Sequence, residues 1–127
     1  MVAFASAEWA AAPIDPVAEA LASAGGSARI GRTISGGPDG EVRWTAVVAG
    51  GEVAYVPGSI DDAEVTFTDT AKVALAQVRG EVDPNASFMR GQTKVTGPTS
   101  VLLEVLAAAR GEGYDAARAR AIARLDA

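Results

Sequence analysis

The run from Glu41 to Val56 constrains this chain most: two strand-like stretches flank Gly50-Gly51. Apolar residues that alternate with polar ones describe a strand with one covered face. A two-residue Gly-Gly loop suits the positive φ angles of a hairpin turn. A tight turn there sets the register, with Val48 opposite Val53 and Ala46 opposite Tyr55. Val42, Trp44, Ala46, Val48, Val53 and Tyr55 then share one face. The other face carries Glu41, Arg43, Thr45 and Glu52, diluted by Val47, Ala54 and Val56, so the sheet is expected to be covered on one side only.

Around the hairpin the chain supplies helices and three further strands. Asp15-Pro16 reads as an N-cap and a proline in the first turn, followed by Val17, Ala18, Leu21 and Ala24 as a short apolar stripe that Gly25-Gly26 ends. Ser27 to Ser35 forms a strand in which Arg32 shares a face with Ile30 and Ile34, and the turn Gly36-Gly37-Pro38-Asp39-Gly40 follows. After a crossover over Pro57 to Ala63, Glu64 to Thr68 alternates, with Val65 and Phe67 inward. Asp69 is placed to cap a helix over Thr70 to Arg79, which Gly80 stops. Asp83-Pro84 opens a short helix carrying Phe88 and Met89 and ending at Gly91.

Gln92 to Thr96 is the last strand, with Thr93 and Val95 inward. In the helix from Ser100 to Arg110, Val101, Leu102, Val105, Leu106, Ala108 and Ala109 span about 160° of a helical wheel, and Leu103 widens that arc. Such a helix is expected to be covered on more than one side. A final helix from Tyr114 to Leu125 carries Tyr114, Ala121, Ile122 and Leu125 on one side and Arg120 and Arg124 on the other. The order predicts a single α+β domain over residues 1–127, its helices stacked on one face of a mostly antiparallel, five-stranded sheet.

Composition narrows the functions open to such a domain. Cysteine and histidine are both absent. That removes disulfides, thiolate nucleophiles, the commonest general base and the commonest zinc ligands. Net charge is −5, which makes a poor binder of a phosphate backbone, so no nucleic-acid partner is expected. Asp61, Asp62 and Glu64 are the one tight acidic cluster; without glycine-spaced ligands they read as solvated charges, and neither metal nor cofactor is expected. No apolar run approaches the roughly 20 residues of a membrane helix, and the Ala-rich start lacks a basic lead, so a cytoplasmic protein is expected.

The segment Glu64 to Leu106 resembles the sterol carrier protein type 2 family. The likeness rests on the alternating Val65 and Phe67, then Asp69, Gly80, Val82, Asp83-Pro84, Phe88-Met89-Arg90-Gly91 and Lys94-Val95-Thr96-Gly97, with the apolar helix after them. Thr93 stands where an aliphatic residue is usual, and the first helix is shorter than the family's. The resemblance implies a five-stranded sheet under helices with an apolar tunnel between them for a fatty acid, acyl conjugate or sterol. Such a tunnel must be filled or collapsible, because an empty cavity of about 300 Å³ at about 24 cal/mol per Å³ would cost roughly 7 kcal/mol, against a total stability of about 5 to 15 kcal/mol.

On this reading the domain is a non-catalytic carrier, with the ligand lined by residues from Trp44, Tyr55, Phe67, Leu75, Phe88, Met89, Leu102, Val105 and Leu106. Each has a plainer role as core packing. Asp83-Pro84 is a helix start, not a catalytic site. A second reading is an interaction module, accessory to a lipid-metabolism enzyme, that dimerises or docks through Val47, Ala54 and Val56. Arg118, Arg120 and Arg124 fit either transient contact with an anionic membrane or a solvated helix face.

Overall fold

A computed structural model describes residues 4–11, 13–109 and 112–124. Its elements are α1 (Ala7–Ala11), α2 (Pro16–Ser23), β1 (Ala28–Gly37), β2 (Gly40–Ala49), β3 (Glu52–Pro57), β4 (Val65–Thr70), α3 (Ala71–Val78), α4 (Pro84–Met89), β5 (Lys94–Thr96), α5 (Thr99–Ala108) and α6 (Glu112–Ala123). The five strands form one sheet in the order β3-β2-β1-β4-β5. The sheet is mixed: β1 and β4 run parallel, and the other neighbours run antiparallel.

The hairpin has the register that its Gly-Gly loop dictates, Val48 against Val53 and Ala46 against Tyr55. Gly50 and Gly51 take φ of 61° and 80°, angles at which a side chain would be strained. Pairing carries this face across the sheet, from Trp44 to Arg32 to Phe67 and from Ala46 to Ile30 to Val65. The helices gather over it. Ile30, Ile34, Trp44, Val48, Val65 and Phe67 are buried there with Leu21, Ala74, Val78 and Val105.

The opposite face is not open at its centre, contrary to the expectation of one-sided cover. The crossover folds across it, and Thr45 donates its hydroxyl to the Ser59 carbonyl at 2.7 Å. A Cβ on Gly31 would lie 2.8 Å from Ala63 Cβ and 3.0 Å from Ile60 Cβ, so the close approach of the loop requires glycine at that point. Val47 is left half-buried, while Ala54 and Val56 remain exposed toward the β3 edge.

Several local expectations need correction. The first strand runs from Ala28 to Gly37, beyond Ser35, and lies at the centre of the sheet. Asp69 does not cap α3: it is a buried residue of β4, and Thr70 accepts the Val73 amide in its place. The last strand is confined to Lys94–Thr96. Asp15 and Asp83 do cap α2 and α4, each with a proline at the helix start. Helix α5 is covered on one side only, and Leu103 is 61% exposed. On α6, Ile122 points to solvent while Tyr114 and Ala121 are buried; Leu125 and Arg110 lie outside the described residues.

Candidate functional site

Between the sheet and α1, α2, α3 and α6 lies a small cavity of about 20 Å³. Ile14, Val17, Ile34, Ala74 and Val78 supply its apolar wall, and Trp9, Trp44 and Tyr114 supply rings. That volume is room for about one water molecule. Side chains fill the rest of the space that a lipid would need.

One part of the wall is charged. Arg32 projects from the centre of β1 among apolar neighbours, with its Nη1 2.6 Å from Asp69 Oδ2 and its Nε 3.5 Å from Asp15 Oδ2. Its guanidinium also lies 5.4 Å from the Phe67 ring centroid. Burial alone would lower the Arg32 pKa, but Asp15 and Asp69 outweigh it and hold the group above its ordinary value. One cation thus sits between two carboxylates in a desolvated place.

Both oxygens of each carboxylate are engaged. Asp15 Oδ1 accepts the Val17 and Ala18 amides as the cap of α2, and Oδ2 accepts Trp44 Nε1 at 3.3 Å. Asp69 Oδ1 accepts the Thr93 hydroxyl, whose oxygen accepts Gln77 Nε2 at 3.2 Å. Tyr114 donates to the Gln77 carbonyl at 3.4 Å, and Tyr55 accepts the Asp15 amide at 2.9 Å while donating to Glu19. Burial pushes the Tyr114 hydroxyl up to about 12. Burial, helped by Asp15 and Glu19, also drives the Tyr55 hydroxyl upward. These bonds hold a wall in place and leave no carboxylate oxygen of the pair free to act as a base.

Of the nine residues expected to line a ligand, the cavity brings in Trp44. Tyr55 is half-buried with its hydroxyl engaged, and Phe67 is buried beneath Arg32. Leu75 and Leu102 are half-buried, whereas Val105 and Leu106 are packed into the core, where Asn85 Nδ2 donates to the Leu106 carbonyl at 3.0 Å. Phe88 is 37% exposed and Met89 84% exposed, and neither lines the cavity. Trp9, Asp15, Arg32, Gln77 and Tyr114 were not anticipated in the wall. Parity does place Arg32 and Asp69 on the covered face, since each stands two residues from inward apolar residues of its own strand, Ile30 and Ile34 for Arg32 and Phe67 for Asp69.

Around the site, the three arginines of the C-terminal region are engaged within the chain. Arg118 pairs with Asp115 at 2.9 Å and donates to the Val78 carbonyl, Arg120 pairs with Glu19 at 3.0 Å, and Arg124 lies over the Trp9 ring. Among the described residues there is no group of three acidic side chains placed to hold a metal ion, and no helix is long and apolar enough to cross a membrane.

A mixed five-stranded sheet with helices over one face and a small, mainly apolar cavity between them defines an α+β domain of the sheet-under-helices type. The chain belongs to the SCP-2 sterol transfer family, whose sequence profile matches residues 10–110. It is 29% identical over 73 residues to sterol carrier protein 2 of Oryctolagus cuniculus, a match that covers 57% of this chain but spans only 13% of that relative's length. Its fold is similar to that of a Thermus thermophilus protein described as possibly a sterol carrier protein (TM-score 0.64, 17% identity, 95% of this chain and 93% of that one). It is similar also to the palmitated SCP2L2 of Aedes aegypti (TM-score 0.61, 14% identity, 84% of this chain and 96% of that one).

Proposed function

We propose that this domain binds and carries a lipid-like apolar ligand between its sheet and its helices, without catalysing a reaction on it. The observation that carries this reading is the cavity itself, walled mainly by apolar side chains and placed between sheet and helices in a chain of the sterol transfer family. The carboxylates beside it each have both oxygens engaged within the chain, which supports a structural role for them. The covered centre of the outer sheet face supports a carrier over an interaction module docking through Val47.

Within the lipid class, the wall favours neutral molecules. Asp15 and Arg32 line the cavity as an ion pair, and Asp69, which bonds Arg32 from outside the lining, leaves the cluster with one more negative than positive charge. A carboxylate head placed against them would meet like charge where little water screens it. A sterol or fatty alcohol meets no such cost.

The test is a thermal-shift panel of sterols, fatty alcohols, fatty acids and acyl-CoAs, alongside mass spectrometry of an organic extract of the purified protein. A bound ligand at 100 times its Kd adds about 2.7 kcal/mol of stability. Neutral lipids should raise Tm more than the corresponding acids at pH 8. If the whole panel leaves Tm unchanged and the extract holds no lipid, the carrier reading is wrong.

A further inference from the structure

The indole of Trp9 is one of the rings that line the cavity. Trp9 is 1% exposed and lies on the five-residue helix α1. Its ring meets Phe4 at a centroid distance of 5.3 Å, and the Arg124 guanidinium lies 4.9 Å from its centroid. A five-residue helix has no stability of its own in water. The side chains that seat α1 therefore decide where it lies.

Two features of that seat are unfavourable. Trp9 Nε1 is buried without a hydrogen-bond partner among the described residues, a cost that would vanish in water. Ala5 takes φ of 59°, the one non-glycine residue among those described with a positive φ, and it is wedged against Gly37, where a Cβ would come within 2.6 Å of the Ala5 carbonyl oxygen. A residue with a Cβ pays for the left-handed region with strain that an extended chain would not carry. Holding these against solvent are the indole's apolar area, the cation over its ring and a bond from the Ala7 amide to Asp39 at 2.8 Å.

We propose that α1 is a built-in plug: Trp9 occupies part of the ligand's own subsite, and a ligand binds by displacing it. This rests on the reading of the cavity as the lipid site. It predicts that the ligand places an apolar ring or chain segment against Ile34, Trp44 and Val78, which line the cavity together with the indole. Apparent affinity is then lowered by the fraction of molecules in which α1 is seated.

The experiment compares Nile red, a neutral apolar dye, on the wild-type chain and on Trp9→Ala. The plug predicts at least tenfold tighter binding by the variant. Equal affinity would overturn the plug and leave the carrier reading standing, and so would weaker binding, which would make Trp9 a wall residue. Binding by neither chain removes both. Should circular dichroism show Trp9→Ala to be unfolded, Trp44→Phe decides, because the chain has two tryptophans and this variant leaves Trp9 as the sole reporter. With oleyl alcohol at saturation, Trp9 emission should shift to the red and acrylamide quenching should rise. An indole that stays buried while the alcohol is bound overturns the plug.

Discussion

Asp69 accepts Arg32 Nη1 at 2.6 Å across the parallel seam between β1 and β4, which ties the two strands together on the inner face. Both side chains are buried, so removing one leaves the other charged and unpaired. Arg32→Met keeps much of the side chain's length but strands Asp15 and Asp69 beside each other. The expected loss is about 3 to 5 kcal/mol, read from the midpoint of urea unfolding. A loss below about 1 kcal/mol would mean that the pair is solvated like a surface ion pair.

Thr93 extends the same network, since it donates to Asp69 and accepts from Gln77. Thr93→Val restores the aliphatic residue usual in the family at nearly constant volume, so packing should change little. It leaves an Asp69 oxygen and the Gln77 amide without their partner, at a cost of about 1 to 3 kcal/mol. Urea unfolding with an unchanged m-value would show this loss. A variant as stable as the wild type would show that the hydroxyl holds nothing.

Alkaline pH should weaken the fold through its tyrosines. Tyr114 is pushed up from 10 to about 12, chiefly by burial. Below pH 10 folded and unfolded chains both keep this proton, and stability is full. Between 10 and 12 the unfolded chain gives it up while the folded chain keeps it, so stability falls as pH rises, by roughly 2 to 3 kcal/mol across the window at about 1.4 kcal/mol per unit. Tyr55 acts in the same direction. Tyr114→Phe should therefore lose less stability than wild type between pH 9 and pH 11, and equal losses would remove Tyr114 from the effect.

Much of the scaffold is legible in the sequence, because period-two alternation and a Gly-Gly turn leave the hairpin one register. The same alternation puts Arg32 with Ile30 and Ile34 and puts Asp69 with Val65 and Phe67, so both halves of the ion pair stand on the covered face. Parity names a face, not a neighbour. That β1 lies parallel to β4 depends on the crossover, and Asp69 reads equally well as a cap until Thr70 takes that role. Trp9 is less legible still: it stands in an Ala-rich stretch without period, and it is buried beside Phe4, under Arg124 from the far end of the chain and in the cavity wall. The wide apolar arc of α5 pointed to a ligand there, yet α5 spends that arc on α2 and the core and leaves Leu103 in water.

Leu106 tests the location of the ligand directly. It is buried on α5, among residues packed against α2, and it does not line the cavity beside Trp44. Leu106→Trp adds a ring where no space is held open, so off-rotamer packing and backbone shifts should lower stability by about 1 to 3 kcal/mol. Ligand affinity, measured below the new Tm with Nile red, should stay within about threefold of wild type, because the lining residues are untouched. The opposite pattern has an equally clear meaning. Stability that holds or rises with a tenfold loss of affinity, about 1.4 kcal/mol, would show the indole taking ligand space, and would move the site from the cavity under α1 to the face of α5.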